Sequence, residues 1–280
     1  MLLWFQTVLP TLFPFLFASK LAVWTGGSRY ISRPLLPLFS NCFGLGEEGS
    51  YSFFCGLLCG CPMGAKTCSD FLDEGKLTTA QARFLVALSN LPSPMFLLGY
   101  VAGEELPAWL LLWSVYGPLL PLSILARRIY LCPSSAFLTP SPQRMSQQNL
   151  ASPPILETLL ADCCQVLVTI GAYMMLFSVA AAFVARLSFL PPFLRVLPIG
   201  LLEMTTGVQA ARSLPRPLSS FCLLLFPVFG GLCALFQTKS AMKNAGLSIR
   251  HYVFWKLLHT AISSLYFFLG IGLQSHLLLL

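Results

Sequence analysis

Gly56-Leu57-Leu58-Cys59-Gly60-Cys61-Pro62-Met63-Gly64-Ala65-Lys66 is an apolar run punctuated by glycine and proline and closed by a lysine. It is too short to cross a bilayer, which takes roughly 20 apolar residues. Its glycines and proline also break a smooth helix, at about 1 kcal/mol per glycine and about 3 kcal/mol per proline. Irregular backbone at membrane depth survives only where protein covers it or where it lines a watery cavity. The run is therefore expected to form part of a re-entrant, broken hairpin, with Gly60, Pro62, Gly64 and Lys66 as candidate binding residues.

Composition places this break in a membrane protein. Of 280 residues 56% are hydrophobic and 10% charged, with a mean hydropathy of +0.76, where a soluble domain carries about 25% charge. Apolar runs recur along the whole length, at Leu2–Trp24, Ala82–Ala102, Leu106–Ala126, Thr158–Ala185, Pro217–Phe236 and His251–Gly272. The expectation is an all-α polytopic membrane protein of about six transmembrane helices plus two re-entrant hairpins. The first run lacks the basic start of a secretory signal and is expected to be retained as a span.

The net charge of +7 fits basic cytoplasmic loops. No basic stripe interleaved with aromatics is present, so nucleic acid is not an expected partner. The ten cysteines lack metal-ligand or iron–sulfur spacing, including the cluster Cys55, Cys59, Cys61 and Cys68. They are expected as reduced, buried thiols, with no metal and no cofactor. No zinc-protease, nucleophile-elbow or phosphate-loop motif occurs, so no enzyme is expected.

A second interruption falls at Ser89-Asn90-Leu91-Pro92-Ser93-Pro94, where two prolines remove backbone donors. Ser89, Asn90 and Ser93 join the candidate site. Ahead of the first motif, Ser50 is a candidate helix cap. The segment Thr67–Gln81 is expected as an exposed helix, turn and helix start, with Asp70, Asp73 and Glu74 on a solvated face. Residues 130–154 are rich in proline, serine and glutamine and divide the chain into a first membrane repeat (1–129), a cytoplasmic linker and a second repeat (155–280).

In the second half, Gly200-Leu201-Leu202-Glu203-Met204-Thr205-Thr206-Gly207 occupies the place of the first motif, and Pro227 with Gly230 and Gly231 that of the second interruption. Broken segments at matching places in two halves point to a transporter site. With the N-terminus outside, thirteen of the 17 basic residues fall in inside loops, Lys256 among them. Three spans per half then invert the second repeat.

These motifs resemble the YlbJ-type sporulation integral membrane proteins, which carry nucleoside-recognition, or Gate, domains. The residues that carry the resemblance are CGCPMGAK at Cys59–Lys66, Asn90 with Pro94-Met95-Phe96, and GLLEMTTG at Gly200–Gly207. Cys59 and Cys61 depart from the family's small hydroxyl and aromatic residues, and Leu91–Ser93 from its more polar run. The resemblance implies a bacterial cell or forespore membrane, passage of the dicarboxylate dipicolinate during endospore formation, and partnership with other sporulation membrane proteins. Related Gate domains serve nucleoside transport.

Lys66 has two readings, an anion ligand or an interfacial lysine that snorkels. Glu203 has three: a proton or cation relay, a partner for Lys66, or an interfacial cap beside Thr205 and Thr206. Gln237 is a weaker candidate, and His251 and His259 are expected to be satisfied or interfacial. The expected function is a permease for a small anionic solute; a non-transporting gate or scaffold, or a nucleoside transporter, is the alternative.

Overall fold

The computed structural model describes residues 4–130, 155–187, 189, 191–242 and 246–277. Most of the expected linker, 131–154, lies outside the described residues. Every regular element among the described residues is a helix. Five are long and apolar enough to cross a membrane: Thr79–Val101, Ala108–Tyr130, Leu156–Ala185, Arg216–Ala241 and Ile249–Gln274. All five correspond to expected spans, and the chain is an all-α polytopic membrane protein. The sixth expected span is shorter as a helix. It is a π-helical turn, Trp4–Val8, followed by α1, Leu9–Trp24, which contains Pro14. A proline lacks the N–H of a regular helical bond, and π turns are a common local adjustment.

Short helices α2 (Ser28–Ser32) and α3 (Leu36–Phe43) lead to the first hairpin, α4 (Glu47–Cys59) and α5 (Met63–Asp73). Ser50 does not cap α4, because the helix already begins at Glu47, after the extended Gly46. The exposure expected over Thr67–Gln81 is only partial: Thr67, Cys68, Ser69 and Phe71 are buried, and Asp73 and Glu74 are exposed. Helix α6 (Thr79–Ser89) starts where TTAQ predicts, with a reciprocal cap: Gln81 N donates to Thr78 Oγ1 at 3.2 Å, and Thr78 N to Gln81 Oε1 at 2.9 Å.

After the Asn90–Ser93 interruption come α7 (Pro94–Phe96) and a π-helical turn, Leu97–Val101, then α8 (Ala108–Tyr116) and α9 (Leu119–Tyr130). The second half runs through α10 (Ile155–Ala185), a hairpin of α11 (Pro192–Leu202) and α12 (Met204–Ala211), an interrupted span of α13 (Arg216–Phe229) and α14 (Gly231–Ala241), and α15 (Ile249–Leu277).

The interrupted spans are the innermost. Arg216–Ala241 is 67% buried and Thr79–Val101 56%, against 22% for Leu156–Ala185 and Ile249–Gln274. The latter two turn Val168, Leu176, Phe183, Phe254, Leu265 and Phe268 outward, as lipid-facing helices do. Between helices in lipid the hydrophobic effect supplies little, so close contact through small residues and hydrogen bonds must hold the centre.

Candidate functional site

Each hairpin folds against the interrupted span that follows it, and glycine sets the distance. A Cβ on Gly56 would lie 2.1 Å from the Ser89 carbonyl oxygen, and one on Gly64 2.5 Å from the same atom. Only hydrogen fits at either place. The last turn of α6 thus lies directly on the first hairpin, and Cys61 N donates to Leu91 O at 2.9 Å across the same contact. In the second hairpin a Cβ on Gly207 would lie 2.2 Å from Gly200 Cα. One on Gly231, just past the α13 break, would lie 3.2 Å from the carbonyl oxygens of Gly200, Leu201 and Leu202.

The α6 break is the polar centre. The buried Asn90 amide donates to Thr238 Oγ1 at 2.8 Å and to the Tyr252 hydroxyl oxygen at 2.7 Å, with Cys61 Sγ at 3.3 Å. Thr238 donates onward to Ala234 O at 2.7 Å. Residues from the first hairpin, α6, α14 and α15 therefore meet on one side chain. Lys256 Nζ donates to the Asn90 main-chain carbonyl at 3.0 Å, and its Cε lies 3.9 Å from where a Gly230 Cβ would stand. One lysine bridges both interruptions. Lys256 is 5% exposed and His259, one turn further along α15, 2%. His259 Nε2 lies 2.8 Å from Val115 O, while its Nδ1 and Asn90 Oδ1 are buried without a hydrogen-bond partner.

The remaining sequence-predicted residues divide. Gly60 turns the chain with φ +82° and ends α4, and Pro62 precedes α5. Ser89 Oγ lies 4.0 Å from Cys68 Sγ. Ser93 caps α7, accepting from Phe96 N at 3.2 Å. Glu203 is 1% exposed and caps α12: its carboxylate accepts from Thr205 N (3.0 Å), Thr206 N (2.7 Å), Thr205 Oγ1 (2.5 Å) and Thr206 Oγ1 (2.8 Å). It is a buried cap rather than an interfacial one. Lys66 does not pair with Glu203; its ion-pair partner is Asp70, one turn along α5. Gln237 donates to Cys233 Sγ at 3.1 Å.

Four contributors to the centre stand outside the sequence-predicted set: Cys61, expected only as a buried thiol, and Lys256, Thr238 and Tyr252. On sequence Lys256 counts with the loop cations, whereas the structure buries it within α15, on the first third of the final span. The signal for it is its place inside the apolar run His251–Gly272, since a charge within a span is a functional candidate in its own right. His259, expected to be satisfied or interfacial, is one turn from it on the helix and 2% exposed. Thr238 and Tyr252 carry no local signal, because tertiary packing alone brings them to Asn90.

Nine free cysteines are described, five of them buried, and no group able to hold a metal ion occurs among the described residues. No family model and no solved structure matches the chain. It is similar to the sporulation integral membrane protein YlbJ of Bacillus subtilis (strain 168), with 29% identity over 100 residues. The matched stretch is 36% of this chain and 24% of the length of that curated relative. Together with the five long apolar helices, this similarity to an integral membrane protein supports a membrane location.

Proposed function

We propose that the chain is a membrane permease for a small anionic solute, with its site where the two interrupted spans meet. The observation that carries this reading is the convergence of Asn90, Thr238, Tyr252, Cys61 and Lys256 on one helix break in the most buried part of the bundle. Unpaired backbone groups in lipid cost several kcal/mol each, and a fold that only had to cross the membrane would avoid two such breaks. Gly60, Pro62, Gly64, Ser89 and Ser93 shape the first break. Glu203, Thr205 and Thr206 close the corresponding turn of the second hairpin, so the halves 1–129 and 155–280 are read as inverted repeats.

Dipicolinate is the solute that the sporulation resemblance favours, in a bacterial cell or forespore membrane. Transport is tested by uptake of labelled dipicolinate into proteoliposomes holding the purified chain, with a nucleoside as comparison. Saturable dipicolinate uptake supports the reading. Nucleoside uptake alone replaces it with a Gate-type nucleoside transporter, and uptake of neither solute by folded protein replaces it with a gate or scaffold that works with other membrane proteins.

A further inference from the structure

We propose that Lys256 is the carboxylate anchor of this site: the ammonium donors left over from its bond to Asn90 bind a carboxylate of the transported solute. The inference rests on the permease reading above and assigns its anion-binding residue.

An ammonium offers three donors, and one of them is used, on the Asn90 carbonyl. No acid lies within ion-pair distance of Lys256 among the described residues; Asp70, Glu74, Glu47, Glu104, Glu105 and Asp162 pair elsewhere. Glu203, the buried carboxylate, is held by four donors of its own hairpin. A buried charge without a counter-ion costs several kcal/mol, so the protein alone leaves this position incomplete. An arriving carboxylate completes it.

The buried Asn90 Oδ1 and His259 Nδ1 lack partners, but both accept rather than donate, since His259 Nε2 carries the proton that meets Val115 O, so the free donors of the centre are those of Lys256. The two hairpins differ in a related way: α12 begins on the Glu203 carboxylate, whereas α5 begins after Cys61-Pro62 with no side-chain cap. A crevice lined by Arg83, Ala87, His251, Tyr252 and Trp255 runs between α6 and α15. Tyr252 belongs to both the crevice and the Asn90 cluster.

The test compares pyridine-2,6-dicarboxylate with its uncharged diamide on the reconstituted full chain, read by uptake and by thermal stabilisation in detergent. A ligand that binds the folded state raises apparent stability. The wild type is expected to take up and be stabilised by the dicarboxylate and to ignore the diamide. Lys256→Met, which keeps an unbranched apolar stem as far as Cε and removes the ammonium, is expected to weaken the dicarboxylate response roughly tenfold or more, and Lys256→Arg to keep a measurable part of it. Equal handling of dicarboxylate and diamide by the wild type, which needs no variant to fold, overturns the anchor and leaves the permease standing. An unchanged dicarboxylate response in Lys256→Met also overturns it and makes Lys256 a cap on the last carbonyls of α6. A wild type that takes up neither compound overturns the permease reading itself.

Discussion

The ammonium of Lys256 lies 3.0 Å from the main-chain carbonyl of Asn90, and this bond ties the last long helix to the gap between α6 and α7. The carbonyl is one of those a helix leaves unpaired at its C-terminal end, and a cation there also suits the helix dipole. The same contact is thus structural when the site is empty and becomes one side of a binding site when an anion reaches the other donors.

Asn90→Asp puts a carboxylate on the residue whose carbonyl Lys256 already holds. An internal counter-ion then competes with the solute. Dicarboxylate-induced thermal stabilisation is expected to weaken by about tenfold in apparent affinity or more, measured by titration of the detergent-solubilised variant.

Gly64→Ala and Gly207→Ala each force a methyl group into occupied space, 2.5 Å from Ser89 O and 2.2 Å from Gly200 Cα respectively. Each is expected to cost about 1–3 kcal/mol of stability by overpacking. Gly99→Ala, whose added Cβ meets nothing within 4 Å, is the control and is expected to stay within about 0.5 kcal/mol of wild type. Thermal unfolding in one detergent compares all three.

Glu203→Gln replaces a carboxylate that receives four donors with an amide that has one accepting oxygen and two hydrogens of its own. Oε1 accepts from Thr205 N alone and Oε2 from the other three, so whichever oxygen becomes the amide nitrogen, at least one donor loses its acceptor in a buried place. A lower unfolding temperature, equivalent to about 1–3 kcal/mol, is the expected result.

Arg212 gathers the connection after the first interrupted span. It donates to Tyr100 O at 2.9 Å and Val101 O at 3.3 Å and pairs with Glu105 at 3.2 Å. Arg212→Ala is expected to lower stability by about 1–2 kcal/mol. Arg212→Lys should restore only part of that, because an ammonium cannot reproduce the guanidinium fork; thermal unfolding separates the three proteins.

Much of the architecture is legible in the sequence. Apolar length located five spans, and Gly-Pro punctuation located both interruptions, because the membrane makes such breaks costly enough to stand out. Asn90 was legible for the same reason, as a polar residue at a forced break. Lys66 is legible only as a charge, because its partner Asp70 depends on local helix geometry; for Glu203 the cap beside Thr205 and Thr206 is one of three readings, and its burial is what the sequence does not show. The N-terminal run is helical from Trp4 to Trp24, and the prolines that break its apolar pattern are matched by a π-helical turn at its start. Thr238 and Tyr252 were not legible at all. They sit 148 and 162 residues from Asn90 in sequence, and nothing in their own neighbourhoods announces the meeting.

The position of Lys256 after α6, both hairpins and α14 has a consequence for biosynthesis. Ribosomes deliver α6, both hairpins and α14 to the membrane before α15 exists, so the Asn90 carbonyl enters the bilayer without its partner. Helix α15 packs against α6, α8, α13 and α14 and is the element that closes the centre. A nascent chain halted near residue 248 would hold every glycine of the two breaks and still lack the charge that joins them, which makes arrival of α15 the point at which these two breaks become one centre.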